Sequence, residues 1–507
     1  MVILNFAGML RSIWPREFKN FFKIKPYLYI TLGVYTILVV MLALRHESWA
    51  DEAQAWLIAK ECTVPDLLLH VIRYEGTPAL WHLILMVPAK LGLPYKYISL
   101  FSASISIISI YFFLRFSPFN PILKVLLPFT YFIFFQYSVV ARSYVLLPLL
   151  LFILASFYER WQEKIFIFVT LTSLLANVSI HATLLSIFIF LYCYTDIVRK
   201  WVLLSETHKR SYILGAIIYI FILCLILIQV YPPADVSFAP GTRFNIPLFL
   251  VESVYRMSDS LFSNYTLEHN WSLGYGLSFA LFFYFILLWL LRKGVLVLYL
   301  LPIVSILVLF HVKYYNVWHQ GILFIYLIFV LWISFIKKSR FRQDETSNVN
   351  NIAEHKERWW RKIINISIAI ISIIQIYWSV NTFLFDFNTS YSGSRQTALF
   401  LQSNNLTNLK IAAFGFKCTA IQPYFTENIY TNINIDSKKS YWVWSVNNYN
   451  RPVLFNNPDV IIESIPAMYS DGSLTLDGYK AIQRFNGNLY WKTGCLEDED
   501  FIIYIRE

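Results

Sequence analysis

The chain is poor in charge. Of its 507 residues only 14% are Asp, Glu, Lys or Arg, where a soluble globular domain carries about 25%, and this excludes an ordinary water-soluble enzyme. Glycine is sparse, at 16 residues, and no Gly-rich phosphate loop occurs. No His/Cys motif has zinc-site spacing. Cysteine usage is low, and of the five cysteines only Cys418 and Cys495 share the terminal region. A disulfide between them is an option if that region faces an oxidising compartment. Internal repeats, which many transporters carry, are missing as well.

Hydrophobic residues, by contrast, make up 57% of the chain and aromatics 18%. Apolar stretches of membrane-spanning length recur from residue 27 to residue 384, and a helix needs about 20 apolar residues to cross the hydrocarbon. The net charge of +11 would suit nucleic acid, but in a membrane protein basic residues collect in cytoplasmic loops and fix orientation. No nucleic-acid partner is expected. Arg11, Arg16, Lys19, Lys23 and Lys25 precede the first span, which puts residues 1–26 inside. No small-residue cleavage site follows, so a retained anchor is expected.

From that start, spans at 27–44, 97–114, 121–138, 143–157, a tight pair within 165–198, 212–231, 272–291, 294–311, 319–336 and 363–384 place every strongly basic loop inside. The richest, 337–362, holds eight Lys/Arg. The stretch 78–94 is left out of the count. Its apolar core from Pro78 to Pro88 is short and interrupted by His82, which suits a helix at the interface, and counting it would turn the second half upside down. The expectation is a polytopic α-helical membrane domain of about 11 transmembrane helices over 27–384, with outer loops 45–96 and 232–270. Loop 232–270, with Pro232, Pro233, Pro240 and Gly241, is long enough to be a mobile lid. Residues 385–507 read as a small extracytoplasmic α/β domain: "SRQTALFLQSN" and "LDGYKAIQRF" as helices, "LKIAAFG", "PDVIIES" and "DFIIYI" as short buried strands. That domain would cover the cavity, bind an acceptor or merely stabilise the membrane part.

This topology gathers ionisable residues at the outer ends of the spans. Immediately after the first span, "RHESWADEAQAWLIA" brings His46, Glu47, Asp51 and Glu52, and the same loop brings Glu75 and Lys96. Other outer turns supply Arg142, Tyr144, His181, Arg243, Arg256, Lys313 and His319. Taken singly, a loop carboxylate is commonly just solvated and an interfacial arginine snorkels. Taken together, they mark a substrate pathway. An outward-facing membrane enzyme has no ATP or nucleotide sugar, so its donor is a lipid carrier whose phosphate already activates the transferred group. Such chemistry needs a carboxylate base, cations for the departing phosphate and a greasy groove. Asp51 and Glu52 are the candidate catalytic carboxylates. Adjacent helical residues project about 100° apart, so only one serves as base; the other would cap a helix or help bind a divalent cation. Arg142, Lys96, Lys313, His319 and Arg243 are candidate phosphate ligands, with Arg offering a planar fork of donors. Glu75, Tyr144 and His181 would line the substrate cavity.

The stretches "WADEAQAWLIA", "RYEGTPALWHLIL" and "ARSYVLL", over roughly residues 25–200, with weaker likeness in "NVWHQGILFIYLIFVLW", resemble membrane glycosyltransferases of the GT-C fold. The likeness is to the family 39 type that includes protein O-mannosyltransferases and aminoarabinose transferases acting on lipid A. It implies an outward-facing, metal-independent or weakly metal-dependent, inverting transfer of a sugar from a polyprenyl-phosphate carrier in a bacterial inner membrane. No cofactor is required, though a divalent cation stays open. Asp51 matches the family's acidic residue that acts as base or binds acceptor, and Arg142 the Arg that follows the third span. "GTPALWHLI" matches a Pro-containing helix that does not cross. Relatives often carry Lys or His near the start of that stretch, where this chain has Thr77, so that cation's contact would come from Arg73, Lys96 or Arg243 or be missing. A lipid or solute transporter, or a non-catalytic scaffold, is the competing class.

Overall fold

Backbone buried in hydrocarbon must satisfy its own hydrogen bonds, so apolar runs of spanning length become helices. The computed structural model describes residues 25–237, 241, 243–264, 273–337, 347–434, 437–449, 452–454, 456–465 and 477–507; Arg11, Arg16, Lys19, Lys23 and Pro240 lie outside these. The protein is mostly helical, at 69%, with a small C-terminal strand region. Among the described residues eight helices are long and apolar enough to cross a membrane: Pro26–Arg45, Tyr95–Phe116, Ser143–Arg160, Ile180–Arg199, Glu206–Val230, Gly276–Lys293, Val317–Ile336 and His355–Asn388. They coincide with eight of the eleven expected spans. Two others are the shorter apolar helices Ile165–Ala176 and Leu296–Val312.

The remaining expected span, 121–138, is not one helix. It is a helix Pro121–Leu126, a 3-10 turn Leu127–Phe129 and a π-turn Phe132–Gln136. Pro121, with Asn120 capping Leu123 N, starts the first piece, and Pro128, lacking an N–H, breaks the ladder. Burial orders the rest. The apolar window of Val317–Ile336 is 94% buried and that of Glu206–Val230 only 17%, so the former is the hub and the latter the rim. At Gly321 an added Cβ would come within 2.7 Å of Phe132 and Tyr137; only glycine lets the hub helix approach the broken segment this closely.

The stretch between the first two long helices leaves and returns to one end of the bundle, where Ser48 Oγ and Ser99 Oγ lie 3.4 Å apart. Its helix Leu80–Lys90 is 11 residues long and packs on the helix Ala50–Glu61. Lys90 Nζ donates to the carbonyl of Cys62 at 2.6 Å.

The last long helix continues to Asn388, a little beyond the expected boundary. Then come the helix Ser394–Ser403 and strands β1 (Ile411–Phe414), β2 (Val460–Ile465), β3 (Tyr479–Phe485), β4 (Asn488–Trp491), β5 (Gly494–Asp498) and β6 (Asp500–Arg506). The main sheet has the order β1-β2-β6-β3. β1 and β2 are parallel, with Ile411 opposite Val460, while β6 is antiparallel to both neighbours. The stretch expected as a second helix, "LDGYKAIQRF", is therefore corrected: its last seven residues are the exposed edge strand β3. Cys418 is a buried thiol and Cys495 an exposed one, and they are not joined. The β4–β5 hairpin drives its turn into the bundle. Trp491 packs 5.3 Å from Tyr131, and Lys492 donates to the carbonyls of Asp259 and Ser263 at 2.6 and 2.9 Å.

Candidate active site

Six parts of the chain meet around one cavity of about 410 Å³ at the end of the bundle where the first long helix finishes. The helix Ala50–Glu61 presents Asp51, Gln54 and Ala55 to it, the i, i+3 and i+4 positions of one face. Arg142 and Tyr144 come from the turn after the broken segment, and His181 from the first turn of Ile180–Arg199. Lys313 and His319 flank the turn between Leu296–Val312 and the hub helix. Glu75, Thr77, Trp81 and His82 enter from the short returning stretch, and Phe416 and Trp444 close the cavity from the terminal region.

At its centre Arg142 Nη1 lies 2.9 Å from Asp51 Oδ2, with side chains 21% and 23% exposed. The guanidinium is boxed by the rings of Trp49, Tyr144 and Trp318 at 5.7, 5.5 and 5.2 Å. Burial raises the Asp51 carboxyl above its usual range, against the opposing pull of Arg142. Glu75 accepts from Gln54 Nε2 at 2.8 Å, and burial, with the Asp51 charge adding to it, pushes it up to about 8. His181 and His319 stand with ring centroids 4.4 Å apart. His181 Nε2 faces the carbonyl of Tyr314 at 3.0 Å and so carries the proton, which leaves Nδ1 an acceptor. That Nδ1 and the indole N–H groups of Trp81 and Trp318 are buried with no partner among the described residues. Comparison with known protein families, curated proteins and solved structures finds no match.

Asp51, Glu75, Arg142, Tyr144, His181, Lys313 and His319 are thus brought to one wall-to-wall space. Three expected residues are not. Glu52 is fully buried and points away from the cavity: its carboxylate accepts from Ala141 N at 2.6 Å and Trp49 N at 3.1 Å and meets His46 Nε2 at 3.3 Å. Lys96 is exposed and lies over Tyr97 at 4.9 Å, while Arg243 is exposed and outside the lining. Arg256, also at this end, is occupied by Glu252 at 2.8 Å and Tyr315 at 4.1 Å. Within loop 232–270, expected to be long enough for a mobile lid, Ile246–Leu261 is a helix, and Ser237 N donates to Trp444 O at 3.0 Å.

Sequence reasoning passed over Gln54, His82, Trp81, Trp318, Phe416 and Trp444. Gln54 had a signal, since it sits one turn after Asp51. Its amide exchanges two hydrogen bonds with the backbone of Trp442, at 2.7 and 2.8 Å, and so fixes the terminal region over the cavity. The partner lies far along the chain, where no local pattern could announce it. Glu499 belongs to the same clasp. Its Oε1 accepts Ala50 N at 2.9 Å, capping the Asp51 helix where a carboxylate is favoured.

Proposed function

We propose that the protein transfers a sugar from a polyprenyl-phosphate-linked donor to an acceptor hydroxyl or amine at this cavity, with inversion. The observation that carries the reading is the Asp51–Arg142 pair, 2.9 Å apart on the wall of a cavity that also holds Lys313. A carboxylate raised by burial is a better proton acceptor near neutral pH than a free one. Asp51 takes the acceptor proton as the acceptor's lone pair bonds to the anomeric carbon. The bond from that carbon to the phosphate oxygen breaks, and its electron pair leaves on the phosphate. Asp51 engages one guanidinium nitrogen of Arg142, so further N–H donors of the fork stay available for the phosphate. Lys313, exposed beside them, adds a second cation.

A sugar as cargo is supported by the aromatic walls of the cavity, Trp81, Trp318, Phe416 and Trp444 among them, which suit the apolar face of a sugar ring. This reading sets the cavity on the extracytoplasmic face of a bacterial plasma membrane, supported by the basic loops expected at the other end.

Radiolabelled transfer from a panel of polyprenyl-phosphate sugars, with donor hydrolysis followed in parallel, tests this on purified wild type and Asp51→Asn. Transfer or hydrolysis in the wild type alone is expected. If neither protein turns over any donor and both bind lipid equally, the chemistry assigned to the cavity is wrong.

A further inference from the structure

The helix Ile180–Arg199 starts at the cavity with His181 and runs about 27 Å, at 1.5 Å per residue, to the opposite end of the bundle. A second space of about 320 Å³ lies there, between this helix and the start of Leu296–Val312. Its walls are apolar and face outward: Leu191 is 53% exposed, Val297 58% and Leu301 50%. Its closed end is polar. Lys337 Nζ donates to Tyr192 Oη at 2.7 Å, and Tyr192 Oη donates on to the carbonyl of Gly294 at 2.8 Å. Lys337 also lies over the ring of Tyr192, at 4.9 Å. Arg199, 73% exposed, adds a second cation and is held only loosely by Asp196, at 3.9 Å.

We infer that this groove binds an anionic membrane phospholipid, with the headgroup phosphate between Lys337 and Arg199 and an acyl chain along Leu191, Val297 and Leu301. The argument is charge complementarity joined to shape. A free anion would gain nothing from the apolar walls, and a zwitterionic lipid gains less because the same two cations repel its ammonium. An ammonium donor with one partner hydroxyl still has two N–H groups for phosphate oxygens. The tyrosine beneath it fixes where that ammonium stands, and such pockets between spans are where acidic headgroups settle. Asp196 opposes binding, but the two cations outnumber it. The inference is independent of any chemistry at the cavity.

The test is native mass spectrometry on delipidated full-length protein, with dioleoyl phosphatidylglycerol and dioleoyl phosphatidylcholine added separately. Wild type is expected to retain the anionic phosphatidylglycerol in preference. Retention should fall about fivefold for each cation removed in Arg199→Gln and Lys337→Gln, and stay unchanged in Lys200→Gln, whose side chain lies outside the groove. Because Lys337 also anchors Tyr192, Leu301→Trp provides a route that touches no charge. It should fill the groove and displace the lipid from a protein that melts normally. Equal retention of both lipids by wild type, or undiminished retention in a folded Leu301→Trp protein, overturns the assignment, as does displacement of the lipid by inorganic phosphate alone.

Discussion

Asp51 and Glu52 are neighbours in sequence and opposites in circumstance. Glu52 is sealed in a knot in which every contact is internal: two backbone N–H groups and His46, which in turn meets Asp386 at 2.9 Å. Asp51 has one ionic partner and an open side. In a chain this poor in charge, a buried ion with a full set of partners is architecture, since removing any one member strands the others. An ion with a single partner and a cavity before it is available for chemistry. The knot and the wall share one helical turn, so the contrast owes nothing to depth along the bundle.

The sharpest way to break this comparison is to neutralise each carboxylate in turn. Asp51→Asn should lower transfer by about 10³-fold and cost less stability than Glu52→Gln, because the Asp51 carboxyl has one ionic partner and borders the cavity. Glu52→Gln should do the reverse, costing about 3–5 kcal/mol because His46 loses its charged partner and the amide, with one acceptor oxygen left, cannot serve both the Ala141 and Trp49 N–H groups. Thermal melts and transfer rates on the same preparations check both. A stable, inactive Glu52→Gln protein would exchange the roles assigned to the two residues. Arg142→Lys comes next. It keeps the charge but loses the fork and its aromatic box, and should cost about 10²-fold in rate with little change in melting.

The knot also carries a pH signature. Burial alone would lower the His46 imidazole, but Asp386 and Glu52 outweigh it and raise it to about 10 from an ordinary 6.5. A raised folded value means that the stabilisation is fully present below 6.5 and is lost as pH climbs through about 10. Melting temperature should therefore fall on the alkaline side in wild type, and Asp386→Asn, already less stable at neutral pH, should fall less steeply. Parallel curves for the two proteins would remove His46 from the account.

Much of this was legible beforehand, and the gaps have physical causes. Charge-free runs and basic loops located the long helices, and the 100° step between adjacent helical residues already separated Asp51 from Glu52 in direction. The broken segment 121–138 was misread because hydropathy counts Pro128 as harmless while the hydrogen-bond ladder does not. "YKAIQRF" was misread because an edge strand exposed on both faces, with a bulge at Ala481/Gln483, shows no period of two. The roof of the cavity was invisible: Phe416 and Trp444 come to line the same space as Gln54 and Asp51 only through the folded terminal region.

The smallest effect expected concerns Glu75, which shares the wall with Asp51. Burial first, and the Asp51 charge after it, push its carboxyl up to about 8. Below that pH it is largely neutral and leaves the cavity to the cations. Above it the carboxylate ionises and opposes entry of an anionic donor phosphate. If Asp51 is the proposed base, its ionisation would make the rate rise with pH on the acid side, and Glu75 should impose the decline on the alkaline side. The value of kcat/KM for donor, followed from about pH 6 to pH 9, should turn down near pH 8 in wild type and stay level in Glu75→Gln. The His46 stabilisation also declines between 6.5 and about 10, so a melting curve at each pH separates loss of fold from the effect of Glu75. A decline that survives Glu75→Gln unchanged would assign it to another group and would leave Glu75 as a packing partner of Gln54.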